Sequence, residues 1–473
     1  MPKDPRAVAV AAARGKRKRN RRRHRGMGRS SKILRLLPLL AACCMLEAGE
    51  SVLKVPGTGK PVAYGGRFSN AKVMIPDTYR PKAREMRGAW VATVENLDFP
   101  KHADAASFRR DYLAVVDNLK KSNFNTIIFQ VRPMNDAFYP SKLNPWSRWM
   151  TGAEGKTLGF DPLDFMVKEA HRRNLEFHAW LNPYRVVSST RLRKAAYLRT
   201  LAANNFARKN PHLVLEVKRK DGTYSLLLNP GEPRVVRHIL ATVREIVENY
   251  PVDAIHFDDY FYLYGGVGNS DHSTFRQYNP RRLSLEDWRR ANVDAIISGV
   301  KRELTDYNRR SGRKVAFGVS PFGIWANKKS MSSGSLTGGN QSFFSQYADT
   351  RGWVKKGWVD YIAPQLYWPF TMDVAAYAAL ADWWADVVRG TPVNLYIGHG
   401  AYRLGADSRW HRGELADQLR YNTKLREVDG SILFSYRNVF SPSNPVMRDA
   451  VGKVLREYWK TPVPCPPCGN VRR

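Results

Sequence analysis

Eight short apolar runs alternate with amphipathic segments from Glu85 onward, and this alternation constrains the fold more than any other feature of the chain. Each run is rich in β-branched or aromatic residues, which is typical of buried parallel strands. Eight strand–helix units predict an α/β fold, a closed (β/α)8 TIM barrel with long βα-loop insertions. The runs are Gly88–Val94, Thr126–Arg132, Glu176–Asn182, Asp253–Asp258, Lys314–Ser320, Val359–Tyr367, Asn394–Gly398 and Ser431–Tyr436.

A doubly wound open sheet is the alternative to a barrel. That fold would place a glycine-rich phosphate turn after the first strand, and Val94–Asp98 contains no glycine. Helix signals separate the runs: Asp161 and Pro162 provide an N-cap and an N1 proline, and Ser284 with Asp287 resembles a capping box. Further helices are predicted at Phe108–Lys121, Arg234–Glu248, Val374–Val388, Gly413–Glu427 and Pro445–Tyr458.

Three connections are long enough to be insertions after strands. The first contains a predicted hairpin, Leu213–Val217 with Tyr224–Leu228, and the others are Gly265–Leu283 and Ser330–Ser342. Because barrel active sites are built from the loops that follow strands, we expect these connections to contribute to function. Tolerated surface insertions are the alternative.

The first 43 residues predict a basic leader and a lipoprotein signal peptide. Arg29 and Lys32 precede Leu36–Leu40, an apolar stretch too short to span a membrane, and small residues follow before Cys43. Residues 40–43 resemble a bacterial lipobox, in which Cys43 is lipidated; the start is Met1 or Met27. We therefore expect an exported protein, lipid-anchored to the cell envelope on the periplasmic side of the outer membrane. A cytosolic protein is the alternative.

The chain is strongly basic, with a formal net charge of +35. Residues 1–32 contain 13 Lys and Arg against Asp4 alone, which leaves +23 for the other 441 residues. This excess permits a nucleic-acid-binding protein, but anionic envelope polymers explain it equally well. We expect no nucleic-acid partner.

The segments that flank the barrel are poor in regular patterns. Residues 44–84 are rich in Pro, Gly and Lys and predict a linker, residues 85–462 the barrel, and residues 463–473 a Pro/Cys tail. Cys465 and Cys468 have the spacing of a small disulfide or of half a zinc site. Residues 45–464 contain no cysteine, which excludes a thiol nucleophile there.

Polar side chains gather at the carboxyl ends of four runs, with the two-residue spacing that directs them to one face. A buried polar group needs a partner or a function, so these residues predict a site at the mouth of the barrel. Asp258 is the best candidate acid, with Asp259 directed the other way or into the next loop; an aspartate that merely forms a turn is the alternative. The residues are Gln130 and Arg132, His178 and Asn182, His256 and Asp258, Gln365 and Tyr367.

Aromatic residues follow the same strand ends and favour a sugar ligand, although some are expected simply to pack the core. His178, His256, Asp258 and Asp259 offer metal-ligand atoms, but no H-x-H or H-E-x-x-H cluster is present, so we expect neither a metal nor a cofactor. Serine-hydrolase and P-loop motifs are absent from the sequence. The aromatic residues are Trp146, Trp149, Trp180, Tyr184, Tyr260–Tyr262, Trp325, Tyr367 and Trp368.

Eight motifs resemble those of the bacterial glycosyl hydrolase-like 10 family, in the family's order over about residues 85–440. The resemblance implies a (β/α)8 barrel related to the α-amylase group, often exported as a lipoprotein, that acts on a polysaccharide, with peptidoglycan glycan strands as the substrate. The motifs are Arg87–Trp90, Asn96–Pro100, Phe129–Pro133, Asp136–Ser141, His178–Arg185, His256–Tyr260, Phe317–Trp325 and Ala363–Trp368.

On this basis we expect a glycoside hydrolase with Asp258 as nucleophile or base and a second carboxylate as acid, in the order Asp136, Asp98, Asp259. Trp325 and Trp368 would stack on the sugar. The residues expected to orient it are Arg132, His178, Asn182, Tyr184, Arg185, His256, Gln365 and Tyr367.

The chain departs from related patterns at a few positions. Phe99 stands where the family usually has Trp, a small change in the first loop. The fifth strand ends at Ser320 and the seventh near His399, so neither the glutamate pair of family-10 xylanases nor the α-amylase acid is present. The identity of the general acid stays open, and a glycan-binding barrel without hydrolysis is the alternative function.

Overall fold

A computed structural model describes residues 49–468. The strands are β1 (Glu50–Val52), β2 (Met74–Pro76), β3 (Met86–Val91), β4 (Thr126–Arg132), β5 (Glu176–Leu181), β6 (Arg185–Thr190), β7 (Val214–Lys218), β8 (Tyr224–Leu228), β9 (Ala254–Phe257), β10 (Ala316–Val319), β11 (Tyr361–Ile362), β12 (Asn394–Gly400) and β13 (Val428–Phe434). The helices are α1 (Ala105–Lys121), α2 (Arg148–Thr151), α3 (Pro162–Arg172), α4 (Lys194–Arg199), α5 (Phe206–Lys209), α6 (Pro233–Asn249), α7 (His272–Gln277), α8 (Leu285–Ser311), α9 (Ser342–Ser345), α10 (Thr350–Lys355), α11 (Tyr377–Val388), α12 (Glu414–Asn422), α13 (Tyr436–Phe440) and α14 (Pro445–Lys453).

Eight parallel strands close into a barrel in the order β3-β4-β5-β9-β10-β11-β12-β13, and β13 pairs back onto β3. The predicted TIM barrel is confirmed. Side chains that alternate along the strands form two cores, one against the outer helices and one inside the barrel. The interior core contains Met86, Trp90, Ile128, Trp180, Tyr361, Tyr396 and Ile432.

Most predicted elements form near their predicted bounds. The helix caps form as expected: the Asp161 carboxylate accepts from the amides of Leu163 and Asp164 at 3.1 Å, and Ser284 Oγ accepts from the amide of Asp287. The run predicted at Val359–Tyr367 yields only the two-residue β11. Pro364 interrupts that ladder, because it has no amide hydrogen to donate.

A three-stranded antiparallel sheet, β6-β8-β7, is inserted after β5 at the carboxyl face of the barrel. The predicted hairpin forms β7 and β8, and β6 adds a third strand that the sequence pattern did not indicate. This insertion forms one side of the barrel mouth.

The segment before the barrel differs from the expected linker. In its described part, β1 pairs with β2, and Val62, Val73 and Ile75 are buried in the main core. The hydroxyl of Tyr64 also donates to Asp382 at 2.8 Å. Short bridges and turns carry no sustained period, so this packed segment resembled a tether in the sequence.

Residues 461–468 lie against the amino-terminal ends of the barrel strands. Arg87 Nη1 donates to the Thr461 carbonyl at 2.7 Å, and Asn125 Nδ2 donates to the Val463 carbonyl at 3.0 Å. Cys465 and Cys468 are free thiols. The predicted leader with Cys43 and the last five residues, 469–473, lie outside the described residues. Within residues 49–468, no helix combines the length and apolarity needed to cross a membrane.

Candidate active site

A pocket of about 400 Å³ opens at the carboxyl ends of the barrel strands. We call it the central pocket. Its position is where TIM barrels build their active sites. Its lining residues are Trp90, Ala92, Val94, Leu97, Gln130, Trp180, Arg185, Asp258, Asp259, Tyr260, Tyr264, Ser320, Phe322, Gln365, Tyr367, Trp368, Tyr402, Arg403 and Phe434.

Asp258 lies in the central pocket directly after β9, and its side chain is buried. Its Oδ2 accepts a hydrogen bond from Asn182 Nδ2 at 2.8 Å, and its Oδ1 accepts from the amide of Tyr260 at 3.3 Å. The guanidinium of Arg185 is 3.9 Å from Oδ2. Burial raises the pKa of Asp258, whereas Arg185, the Tyr260 amide and Asn182 lower it, so these groups stabilise the carboxylate form.

Asp259 lines the same pocket, whereas the strand pattern directs it the other way or into the next loop. Strand β9 ends at Phe257, so strict alternation of side chains no longer applies two residues later. Burial and the negative charge of Asp258 raise the pKa of Asp259 to about 8. The hydroxyl of Tyr264 donates to its Oδ2. Of the two carboxyl groups, Asp259 therefore favours the protonated form more strongly.

Asp136 and Asp98, which were placed ahead of Asp259 as candidate acids, do not line the central pocket. Asp136 accepts hydrogen bonds from the Met134 amide and Ser147 Oγ, and burial raises its pKa to about 6. Asp98 accepts from the amides of Ala92 and Arg437 and from Ser435 Oγ, and burial likewise raises its pKa to about 6. Both carboxyl groups fasten loops outside the central pocket, whereas Asp259, the third candidate acid, lines it.

Arg132 does not reach the central pocket, in contrast to the prediction. The β4–β5 register shifts between Gln130 and Arg132, and this irregularity places Gln130 in the pocket and turns Arg132 away from it. The Arg132 guanidinium instead donates to the carbonyls of Asn182 and Pro183 and to Asn135 Oδ1. Arg132 therefore supports the β5 loop and does not face a ligand.

His178 and His256 point into the barrel as predicted but lie below the pocket floor and do not line it. Nδ1 of each ring is 2.9 Å from the hydroxyl of Tyr361. His256 Nε2 accepts from the indole N–H of Trp90 at 3.2 Å. The two-residue spacing correctly predicts that the side chains of His178 and His256 face the barrel interior. It does not predict how deep they lie along the barrel axis.

In this interior chain of hydrogen bonds, which begins at Trp90 and ends at Glu176, each residue donates to the next one. An indole nitrogen can only donate, so His256 Nε2 is the acceptor and the proton of His256 is on Nδ1. That proton goes to Tyr361 Oη, whose own proton goes to His178 Nδ1, and His178 Nε2 then donates to Glu176 Oε2 at 3.3 Å. Burial, reinforced by His178, places the pKa of His256 well below its usual value, which keeps the ring neutral.

Aromatic side chains form much of the pocket wall. Tyr367 and Trp368 line it as predicted, together with Trp90 and Trp180. Trp325 does not: its Nε1 donates to Asp349 at 3.0 Å and its ring stacks on Trp383, because the loop after β10 folds back over it.

The remaining predicted residues divide between two cavities. Gln365 and Arg185 line the central pocket, and Asn182 lies behind it through its bond to Asp258. Tyr184 is buried and lines a neighbouring cavity with Arg185, Tyr260 and Tyr264. Tyr402, Arg403 and Phe434 were missed, although the same rule of residues after strand ends, applied to β12 and β13, indicates them.

The neighbouring cavity, which we call the side groove, has a volume of about 680 Å³. It lies between the β6-β8-β7 sheet and residues 260–266, and it shares Arg185, Tyr260 and Tyr264 with the central pocket. The guanidinium of Arg185 lies 4.4 Å from the ring centroid of Tyr260. The hairpin contributes Lys218, Arg219 and Lys220 against a single carboxylate, Asp221.

Gln130 contributes a donor without a partner to the central pocket. Within residues 49–468, Gln130 Nε2 is buried without a hydrogen-bond partner, whereas the indole of Trp180 interacts with Asp258 and lowers its pKa. Buried polar groups are ordinarily paired, so Gln130 points to an acceptor on a ligand. No three His, Cys, Asp or Glu side chains within the same range converge to hold a metal ion.

The profile of the family described as Glycosyl hydrolase-like 10 matches residues 85–412, a range that contains Asp258, Asp259 and most of the central pocket. The chain belongs to the glycosyl hydrolase-like 10 family. Membership agrees with the resemblance seen in the eight motifs and with the closed barrel of eight parallel strands.

Named relatives support the same assignment. The chain is 39% identical over 366 residues to "Glycosyl hydrolase YngK" of Bacillus subtilis, which covers 75% of this chain and 69% of the relative. It is 38% identical over 428 residues to "Glycosyl hydrolase DigH" of Escherichia coli K12, which covers 86% of this chain and 92% of the relative. Among solved structures, the glycoside hydrolase domain of PgaB (BpsB) from Bordetella bronchiseptica shares the fold, with a TM-score of 0.51 at 13% identity, over 78% of this chain and 98% of that one.

Proposed function

We propose that this glycosyl hydrolase-like 10 member is a glycoside hydrolase that cleaves glycosidic bonds in a bacterial cell-envelope polysaccharide, peptidoglycan glycan strands. Asp259, the protonated member of the pair, gives its proton to the departing glycosidic oxygen. Asp258, the anionic member, stabilises the positive charge that develops on the sugar ring. The observation that carries the proposal is the pairing of these two buried carboxyl groups inside an aromatic pocket, where burial and Asp258 raise the pKa of Asp259.

Besides the two carboxyl groups, the central pocket supplies side chains that can bind a sugar. Tyr367 and Trp368 offer flat apolar faces for pyranose rings, and Gln130 Nε2 is a buried donor without a partner among the described residues. Polar groups placed within an apolar cleft are the usual composition of a small-molecule or oligosaccharide site.

The side groove supports a polymeric substrate. It continues the central pocket past Tyr260 and Tyr264, whose rings are about 40% and 38% exposed. A single sugar fits within the 400 Å³ of the central pocket, so a second connected cavity provides room for the neighbouring units of a chain. The basic hairpin tip makes an anionic chain a better fit than a neutral one.

The test is release of reducing ends from isolated peptidoglycan, with and without prior removal of the stem peptides. We expect release by the purified protein, and loss of at least about a hundredfold in Asp258→Asn and Asp259→Asn. Asp306→Asn, an exposed carboxylate on α8 away from both cavities, is the matched control and should leave the rate unchanged. Binding of the strands without any release would instead favour a non-catalytic glycan-binding barrel.

We also propose that the protein is exported and held at the cell envelope by lipid on Cys43. The support is the sequence of the leader: basic residues, a short apolar stretch and small residues before the cysteine. Incorporation of labelled fatty acid by the wild type and its absence in Cys43→Ser would support this proposal. Equal labelling of both proteins would refute it.

A further inference from the structure

The central pocket holds its acidic groups on one side only. Among the described residues that line it, Asp258 and Asp259 are the only carboxylates, and both follow β9. In the ring of eight strands, β13 lies opposite β9, and its contribution to the pocket is Phe434. The adjacent β3 contributes Trp90.

This arrangement restricts how the bond can be broken. The common retaining and inverting mechanisms use two carboxyl groups that flank the glycosidic bond, one as acid and the other as nucleophile or base. Here the wall across from the pair carries aromatic rings, and Asp136 and Asp98 are occupied in loops elsewhere. A protein carboxylate is therefore missing from the position where an attacking group is required.

The contacts that hold Asp258 suit a hydrogen-bond acceptor better than a nucleophile. Asn182 and Arg185 fix its Oδ2 side, and its other protein donors are the Tyr260 amide, at the longer distance of 3.3 Å, and the indole of Trp180. Because a carboxylate offers about four lone-pair sites, Asp258 keeps capacity to accept a hydrogen bond from a substrate N–H. The indole rings of Trp90 and Trp180 line the same pocket, with Trp180 beside Asp258, and they present apolar surface to a methyl group.

We propose, building on the proposed hydrolase function, that the substrate supplies its own nucleophile and that the sugar on the glycone side of the cleaved bond carries a 2-acetamido group. The acetamido carbonyl oxygen attacks C1 as the C1–O bond to the leaving sugar breaks, and Asp259 transfers its proton to that leaving oxygen. The product is an oxazolinium ion whose N–H donates to the Asp258 carboxylate. Water then attacks C1, gives its proton to Asp259 and reopens the ring, so that the anomeric configuration is retained.

The first experiment compares substrates that differ only in the acyl group. Glycan strands freed of stem peptides are assayed as prepared, after chemical de-N-acetylation, and after re-acetylation of the same material with acetic anhydride. We expect cleavage to fall about a thousandfold or more on de-N-acetylation and to return on re-acetylation, because an intramolecular nucleophile is lost and restored. Cleavage at an equal rate without the acetyl groups would overturn the inference and leave the hydrolase function standing.

The second experiment tests the role of Asp258 directly. With Asp258→Ala and added sodium azide, a nucleophilic aspartate would be replaced by azide, giving a glycosyl azide of inverted configuration. We expect no such product, and we expect the wild type to release sugars of retained configuration by NMR. An inverted azide adduct, or inverted product from the wild type, would overturn the inference, and absence of cleavage of every strand preparation would overturn both proposals.

Inhibition adds a readout that does not require turnover. N-acetylglucosamine-thiazoline mimics the oxazolinium ion and should compete with strand binding to the wild type. Asp258→Asn should weaken that binding at least about tenfold, since the ring nitrogen in its protonated form loses an anionic acceptor. Equal affinity of the two proteins for the thiazoline would contradict the role given to Asp258.

Discussion

The indole N–H of Trp90 donates to Nε2 of His256 at 3.2 Å, and this bond ties a wall of the central pocket to a buried ring beneath it. Because that nitrogen must be unprotonated, the tautomers of His256 and His178 and the direction of the Tyr361 hydroxyl follow in turn. The position of Trp90 in the pocket thus depends on residues that do not line the pocket.

We expect His256→Phe to lower the free energy of unfolding by about 3 kcal/mol, because it leaves the Trp90 N–H buried without its acceptor and removes the group that donates to the Tyr361 hydroxyl. Chemical denaturation checks this value. His212→Phe, at an exposed position, is the control and should change the free energy of unfolding by less than about 0.5 kcal/mol. If His256→Phe lowers the free energy of unfolding as little as the control does, the interior chain of hydrogen bonds contributes nothing to stability.

Activity should decline as the pH rises through about 8, because Asp259 then loses the proton that it gives to the leaving oxygen. The pH dependence of kcat/KM on glycan strands measures this limb. A decline that begins only far above pH 8 would assign the acid role to another group.

The free energy of unfolding should also depend on pH through the proton of Asp259. The unfolded chain loses the Asp259 proton near pH 4, whereas the folded chain keeps it to about 8, so unfolding releases a proton between these values. The free energy of unfolding should therefore fall as the pH rises over this range, by at most about 1.4 kcal/mol per unit from this group. In Asp259→Asn that contribution should vanish, and an unchanged slope would contradict it.

Asn182→Ala should impair catalysis without unfolding the barrel. The variant removes the 2.8 Å hydrogen bond to Asp258, which raises the pKa of that carboxyl and moves the acidic limb of the pH profile upward. We expect kcat/KM to fall about tenfold at neutral pH. Asn249→Ala, an exposed amide at the end of α6, is the control. A fall in kcat/KM with no movement of the acidic limb would indicate a merely structural role for Asn182.

The side groove should contribute to binding of long anionic strands through charge. We expect Lys218→Glu/Lys220→Glu to weaken binding of labelled strands with free carboxylates about tenfold at roughly 0.01 M salt and little at roughly 1 M, since salt screens exposed charges. Lys120→Glu/Lys121→Glu, the same change at the exposed end of α1, is the matched control. Equal weakening by both double variants would show a general charge effect instead of a groove.

The sequence predicts the barrel well because each barrel strand is a short apolar run that can be recognised from the sequence alone. For example, β4 has the predicted bounds, Thr126–Arg132. The sequence predicts side-chain positions and packing less well where the backbone departs from regular strand geometry. The β4 irregularity turns Arg132 away from the pocket, the end of β9 brings Asp259 into it, and the bridged segment before β3 carries no pattern. Tertiary contacts decide these three cases, and local sequence does not encode them.

The segment that begins at Glu50 and the segment that ends near Cys465 both reach the amino-terminal side of the barrel. Glu50 lies 3.8 Å from Lys424, in the connection that leads into β13, and Cys465 lies against Thr126 at the start of β4. The mouth is at the far end of the strands. A surface that holds this chain by either segment leaves the cleft directed outward, free to engage a long polymer lying above that surface.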